Sequence, residues 1–200
     1  MLPNQSAVKW PNVPDVYNWL LLDERGDWRI KKEKISHKGL IDFINAHYTV
    51  DDEGRWFFQN GPQRVFVKLA CTPYVLNVVS CDSLIYFKTQ TNEIVEPIDK
   101  FWIDDKDRLL VSWESNVGLV SDRDLPLLAE KLAHENKPFD KVNSVEFDLI
   151  KQQTSSRSKT PLTLTINQKT HDILFINAIE VSQLFGFDSH PEPPLGDPDC

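Results

Sequence analysis

The sequence predicts an α+β protein of two small domains built from repeated β-hairpin and helix motifs, mainly antiparallel strands packed around a helix in each. Three observations predict it. Short apolar and aromatic runs are separated by acidic or Asn-Gly turns, as hairpins require. Stretches of helical spacing follow some of these paired runs, and the hairpin-then-helix pattern restarts twice along the 200 residues. At 40% hydrophobic, with six Trp, eleven Phe and four Tyr, the chain can bury a sizeable core.

After a leader spaced by Pro3, Pro11 and Pro14, Val16 to Leu22 is apolar and aromatic. Asp23-Glu24-Arg25-Gly26 turns it, and Trp28-Arg29-Ile30 alternates back, which completes a hairpin. Ser36 stands where an N-cap belongs, with Ile35 and Leu40 at staple spacing, and Leu40, Ile41, Ile44 and Tyr48 share a helical face. A helix is therefore expected from Ser36. Asp51 to Gly54 makes the next turn, and Asn60-Gly61-Pro62 reverses the chain between Arg55–Gln59 and Arg64–Leu69. Tyr74 to Val79 and Leu84 to Phe87 read as further strands, broken by Thr72-Pro73 and Cys81-Asp82-Ser83.

The pattern restarts at Phe101-Trp102-Ile103, turns at Asp104 to Asp107, and returns through Leu109 to Trp113. A helix capped by Asp124, with Pro126 in its first turn, carries Leu125, Leu128, Ala129 and Leu132 on one face. The third and shortest copy runs Leu162 to Ile166, a turn at Asn167-Gln168-Lys169, and Ile173 to Ile176. Asn177 to Glu180 then opens a helix that Gly186 closes. Gln152 to Thr160 is polar enough to be an exposed loop. The resulting division is a flexible leader over 1–14, an N-terminal domain over 15–82, a C-terminal domain over 83–187 and a disordered tail over 188–200.

Net charge is −8, and residues 81–200 hold the excess, with twelve basic against twenty-one acidic groups. Binding to nucleic acid calls for a dense positive face. Here Arg29, Lys31, Lys32, Lys34 and Lys38 form the one basic cluster, and Glu33 interrupts it, so nucleic acid is not an expected partner. Lysines that discourage edge-to-edge pairing of a strand explain it. No apolar run reaches the roughly 18 residues of a membrane span, and no secretory h-region is visible. Cys71, Cys81 and Cys200 are sparse and odd in number, unlike a disulfide framework. A cytoplasmic protein that neither exports nor enters a membrane is expected.

A calcium loop begun at Asp104 or Asp105 needs Gly at its sixth position and Glu at its twelfth, and the chain offers Leu and Ser or Asn. His37, His47, His134, His171 and His190 match no zinc pattern. There is no G-x-S-x-G elbow and no glycine-rich phosphate loop. No metal, cofactor or catalytic residue is therefore expected.

Two segments can carry ligand contacts. Around the first turn, Asn60, Gln63 and Arg64 place an arginine beside amide donors, a workable clamp for a carboxylate or phosphate. At the second helix entry, Asp122, Arg123 and Asp124 gather acids and a base. Each has a plainer explanation, the first as a turn that satisfies its own backbone and the second as acids at a helix N-terminus.

WFFQNGPQRVFVKL and GLVSDRDL, together with YNWLLLDERGDWRI, resemble a family of uncharacterised bacterial proteins known as domain of unknown function 1285. The similarity covers most of residues 16–187. It implies a two-domain fold with repeated helix-and-strand motifs and a part in signal transduction, and it supplies no catalytic residue. The expected function is a non-enzymatic module that binds a protein or small-molecule ligand. The alternative is an enzyme of an unrecognised class using an acidic and arginine site between domains. Oligomeric state is open.

Overall fold

The computed structural model describes residues 10–134, 137–138, 148–149, 154 and 156–194. Contacts divide the chain into two compact units, residues 1–73 with 186–200, and residues 74–185.

The first unit is a six-stranded mixed sheet. Its strands are β1 (Asp15–Leu22), β2 (Trp28–Ile30), β3 (Glu33–Lys34), β4 (Tyr48–Val50), β5 (Trp56–Asn60) and β6 (Gln63–Leu69), in the order β3-β2-β1-β6-β5-β4. β1 runs parallel to β6 and the remaining neighbours are antiparallel. Asn18, at φ +61°, sits in a bulge that separates the pairs Val16 with Val65 and Leu20 with Val67. The extra residues keep Val16, Leu20 and Leu22 beside Val65, Val67 and Leu69, and all six are buried. Helix α1 (Lys38–Ala46) packs on the same face. Its Ile44 is fully buried, Phe43 meets Phe58 edge-on at 6.0 Å, and Asn45 Oδ1 accepts a hydrogen bond from Trp28 Nε1.

The cap of α1 is His37 rather than the expected Ser36: its Nδ1 accepts from the Leu40 backbone amide at 3.1 Å. The helix also ends before Tyr48, which opens β4. Leu40 to Tyr48 thus carried a helical period across an element boundary, and pairing of Tyr48 with Phe58 wins over the last turn.

Three members of the basic cluster have local partners. Arg29 pairs with Asp23, Lys34 with Asp27, and Lys31 Nζ lies 3.6 Å from the Trp19 ring centroid.

Residues 188–189 do not behave as the tail expected from composition. Asp188 N donates to Gly54 O and Ser189 O accepts from Leu69 N, so this segment runs as a strap between the start of β5 and the end of β6. The β5–β6 ladder spans Phe57–Phe66 to Asn60–Gln63, and the strap satisfies backbone groups beyond it. Low hydrophobicity did not prevent order, because backbone hydrogen bonds and the buried Phe187 hold the segment. Residues 195–200 of that expected tail, and 1–9 of the expected leader, lie outside the described residues.

The second unit holds β7 (Tyr74–Cys81), β8 (Leu84–Thr89), β9 (Lys100–Asp104), β10 (Leu109–Trp113), β11 (Asn116–Val120), β12 (Leu132–His134), β13 (Lys137–Pro138), β14 (Lys159–Ile166) and β15 (Lys169–Ile176). Their order is β13-β12-β14-β15-β9-β10-β11-β7-β8. One core joins Val78, Ile85 and Phe87 at one end of the sheet with Leu162, Leu164 and Ile166 near the other, so the sheet curls on itself. Helices contribute less than expected. α2 (Leu125–Ala129) has five residues and sends Leu128 into the core, and α3 (Val181–Phe185) continues a 3-10 turn over Ala178–Glu180. Leu132, expected on the face of α2, begins β12 instead. Of the exposed loop expected over 152–160, residues 152, 153 and 155 lie outside the described residues, and Lys159 and the buried Thr160 already belong to β14.

A repeat is present, in a different frame from hairpin-then-helix. The order β2-β1-β6-β5-β4 matches β8-β7-β11-β10-β9, with β1 parallel to β6 just as β7 is parallel to β11. The matching turns share their chemistry. Asp51 Oδ1 accepts from the amides of Glu53 and Arg55, and Oδ2 from Arg55 Nε at 2.8 Å. Asp104 Oδ1 likewise accepts from the amides of Lys106 and Arg108, and Oδ2 from Arg108 Nε at 2.8 Å. Asp23 caps the β1–β2 turn in the same way, with Arg29 supplying the guanidinium. The acidic turns read from the sequence are thus self-contained Asp–Arg hairpin locks. Among the described residues, no helix is long and apolar enough to cross a membrane.

Candidate functional site

Asn60, Gln63 and Arg64 lie in the first unit, where β5 turns into β6. Gly61 takes φ +60° at the first corner of the two-residue turn, a conformation glycine adopts without strain. Asn60 Nδ2 donates to Gln63 Oε1 at 3.3 Å, and Gln59 Nε2 to Gly61 O. Gln63 Nε2 reaches back to the carbonyls of Pro11 and Val13 and fixes the segment leading into β1.

Arg64 is gripped side-on by Asp15, Nε to Oδ1 at 2.8 Å and NH2 to Oδ2 at 2.7 Å. That hydrogen-bonded carboxylate holds the guanidinium pKa above its ordinary value, although partial burial opposes it. The side chain lies against Phe66, at 5.2 Å from the ring centroid, and Arg55 approaches the same ring at 5.0 Å. Tyr17 stacks parallel on Phe66 at 4.6 Å, and burial pushes its phenol up. The face of the sheet opposite α1 is therefore an aromatic cluster of Tyr17, Phe57 and Phe66, flanked by arginines that are already paired with carboxylates. Arg64 is a half-exposed structural pair rather than an open anion clamp, because Asp15 neutralises it.

Asp122, Arg123 and Asp124 lie in the second unit, between β11 and α2. Asp124 makes no side-chain cap on α2. Its Oδ2 accepts instead from the Val78 backbone amide at 2.8 Å, tying the helix entry to β7. For Asp124 the helix-dipole explanation is replaced by a strand contact that sequence distance, 46 residues, concealed. Ser121, next to them, is fully buried, and its Oγ has no hydrogen-bond partner. Among the described residues, no group of three or more His, Cys, Asp or Glu could hold a metal ion.

The sequence reading missed an exposed apolar surface on β7 and β8. Their register sets Val79 beside Tyr86 and Cys81 beside Leu84, on the face opposite the core residues Val78 and Phe87. Val79 and Leu84 are 40% and 41% exposed, and Ile94, which bridges to Lys88 on β8, is 62% exposed. The period-2 pattern of the two runs could have located it, since both carry apolar residues on both faces.

A family model described as protein of unknown function (DUF2946) matches residues 2–192. No curated protein matches the chain. Two solved structures are similar. A DUF1285 family protein from Shewanella baltica OS155 is 15% identical, with 52% of this chain and 84% of that one covered and a TM-score of 0.39. A DUF1285 family protein from Silicibacter pomeroyi DSS-3 is 10% identical, with 84% of each chain covered and a TM-score of 0.49. Both bear the name of the uncharacterised family that the sequence motifs resemble.

Proposed function

Because the chain belongs to the family described as protein of unknown function (DUF2946), we propose its role from its own side chains: a non-enzymatic module that binds a protein partner on the outer face of β7–β8. The observation that carries this reading is the run of Val79, Cys81, Leu84 and Tyr86, cross-strand neighbours that face away from the core. Apolar side chains gathered on a two-stranded face gain free energy when a partner covers them, about 25 cal/mol per Å² of apolar area removed from water. The hairpin that presents them is firmly held. Its edge strand is tied at Ile85 by Asn167 and at Phe87 by the Val95 amide, so the face rather than the edge is open to a partner. Such a module fits the part in signal transduction that the sequence resemblance implies. The enzyme alternative has less to draw on, because Asp124 and Arg64 are committed to Val78 and Asp15.

The test places a photo-cross-linking residue at Leu84, with the exposed Ser83 as control position. The expected result is a discrete protein adduct from position 84 that disappears in a Val79→Glu background of unchanged thermal stability. Adducts that are the same at 83 and 84, and that persist with Val79→Glu, would overturn the proposal.

A further inference from the structure

Asn60-Gly61 is the one Asn-Gly step in the sequence, and its two reacting groups are lightly held. Among the described residues the Gly61 amide nitrogen has no hydrogen-bond acceptor, and open space surrounds the position a Cβ would occupy. The Asn60 side chain is half-buried, and its amide is held by one long bond, 3.3 Å to Gln63 Oε1. Five other asparagines lack this combination. The Asn167 amide is spent on both backbone groups of Ile85, Asn45 Oδ1 accepts from Trp28, and Asn177 Nδ2 donates to Glu180. Asn92 is exposed, but the nitrogen after it, that of Glu93, donates to Thr89 Oγ1 at 3.0 Å. Asn77 is followed by Val78, whose amide donates to Asp124.

We propose that Asn60 is a site of spontaneous deamidation, where the chain ages by intramolecular chemistry ahead of Asn77, Asn92 and Asn116. The Asn60 side chain leaves Gln63 and swings toward Gly61. The Gly61 nitrogen gives up its proton to base and attacks Asn60 Cγ. The N–Cγ bond forms, the Cγ–Nδ2 bond breaks, and Nδ2 departs as ammonia with the proton returned. Water then opens the five-membered imide at either carbonyl, leaving aspartate or isoaspartate at position 60. No oxidant or cofactor enters. The product carries a new carboxylate beside Gln63, and isoaspartate also lengthens the backbone at a turn whose register depends on two residues.

The experiment incubates the purified chain at mildly alkaline pH and maps isoaspartate by peptide mass spectrometry, with ammonia release followed in parallel. Position 60 is expected to convert first, faster as pH rises, ahead of Asn77, Asn92 and Asn116. An Asn60→Ser variant should lose most of the early ammonia release. Conversion at any of those three controls before position 60, or ammonia release unchanged in Asn60→Ser, would overturn the proposal.

Discussion

The side chain of Asn167 pairs with the backbone of Ile85 as a neighbouring strand would: Oδ1 accepts from Ile85 N and Nδ2 donates to Ile85 O, both at 2.8 Å. Asn167 sits at the β14–β15 turn with φ +50°, which asparagine tolerates better than most residues. The contact joins that turn to the outer strand of a curled sheet and covers the edge groups of a buried residue.

Asn167→Asp keeps the shape and removes the donor, leaving the Ile85 carbonyl facing a carboxylate. It should cost about 1–3 kcal/mol at neutral pH, the range for an unsatisfied buried polar group. Protonating the new carboxyl restores a donor, so the deficit should shrink as pH falls. Urea unfolding of both proteins at two pH values checks the sign, and a deficit that does not change with pH would place the effect elsewhere.

Hairpins were legible because short turn-forming stretches separate the apolar runs: Asp23 to Gly26 before β2, Asn60-Gly61 between β5 and β6, Cys81-Asp82-Ser83 before β8, Asp104 to Asp107 before β10 and Asn167-Gln168-Lys169 before β15. The parallel pairings of β1 with β6, β7 with β11 and β15 with β9 were not, since nothing local encodes a partner far along the chain. Helix α2 was overextended because Leu132 continues an i, i+7 pattern, while pairing of β12 with β14 takes it into the sheet. The six site residues form two polar groups, one in each unit. Their duties, Arg64 to Asp15 and Asp124 to Val78, depend on those same distant pairings.

Gly54 and Gly61 separate backbone conformation from packing. Both have positive φ, +76° and +60°, but a Cβ on Gly54 would lie 2.4 Å from Gly186 O, whereas one on Gly61 would meet nothing within 4 Å. Gly61→Ala should cost about 1–2 kcal/mol, the left-handed penalty alone. Gly54→Ala should cost clearly more and should loosen the strap, raising amide exchange at Leu69, whose N–H donates to Ser189. Equal losses for the two variants would mean that the strap yields freely.

Asp23 and Asp51 set the acid limb of stability in the first unit. Burial raises both carboxyls, but hydrogen bonds from Arg29 and Arg55, from nearby backbone amides, and the guanidinium charges outweigh it and hold both below the ordinary aspartate range. A folded-state pKa below the unfolded one gives stability that is complete above the unfolded value, about 4, and is lost as pH falls through the folded one. Asp51→Asn should therefore lower stability at neutral pH and flatten its decline below about pH 4. Thermal melts across that range read both effects. A variant whose acid decline is as steep as that of the parent would exclude Asp51 as a contributor.

Asp124 offers a division between structural and chemical roles, because one oxygen does what either a carboxylate or an amide can do. Its Oδ2 accepts from the amide of Val78, a core residue of β7. Asp124→Asn keeps an acceptor at that point once the amide is turned, and Asp124→Ala removes it and leaves the Val78 N–H without its partner. The alanine variant should lose about 1–2 kcal/mol, and the asparagine variant should recover most of it. A proton-transferring carboxylate would behave in the opposite sense, since an amide cannot take up its proton whatever happens to stability. Denaturant unfolding of the pair gives the answer. Full recovery by asparagine assigns Asp124 to the joint between α2 and β7, and equal destabilisation by both substitutions would require the charge itself to hold that joint.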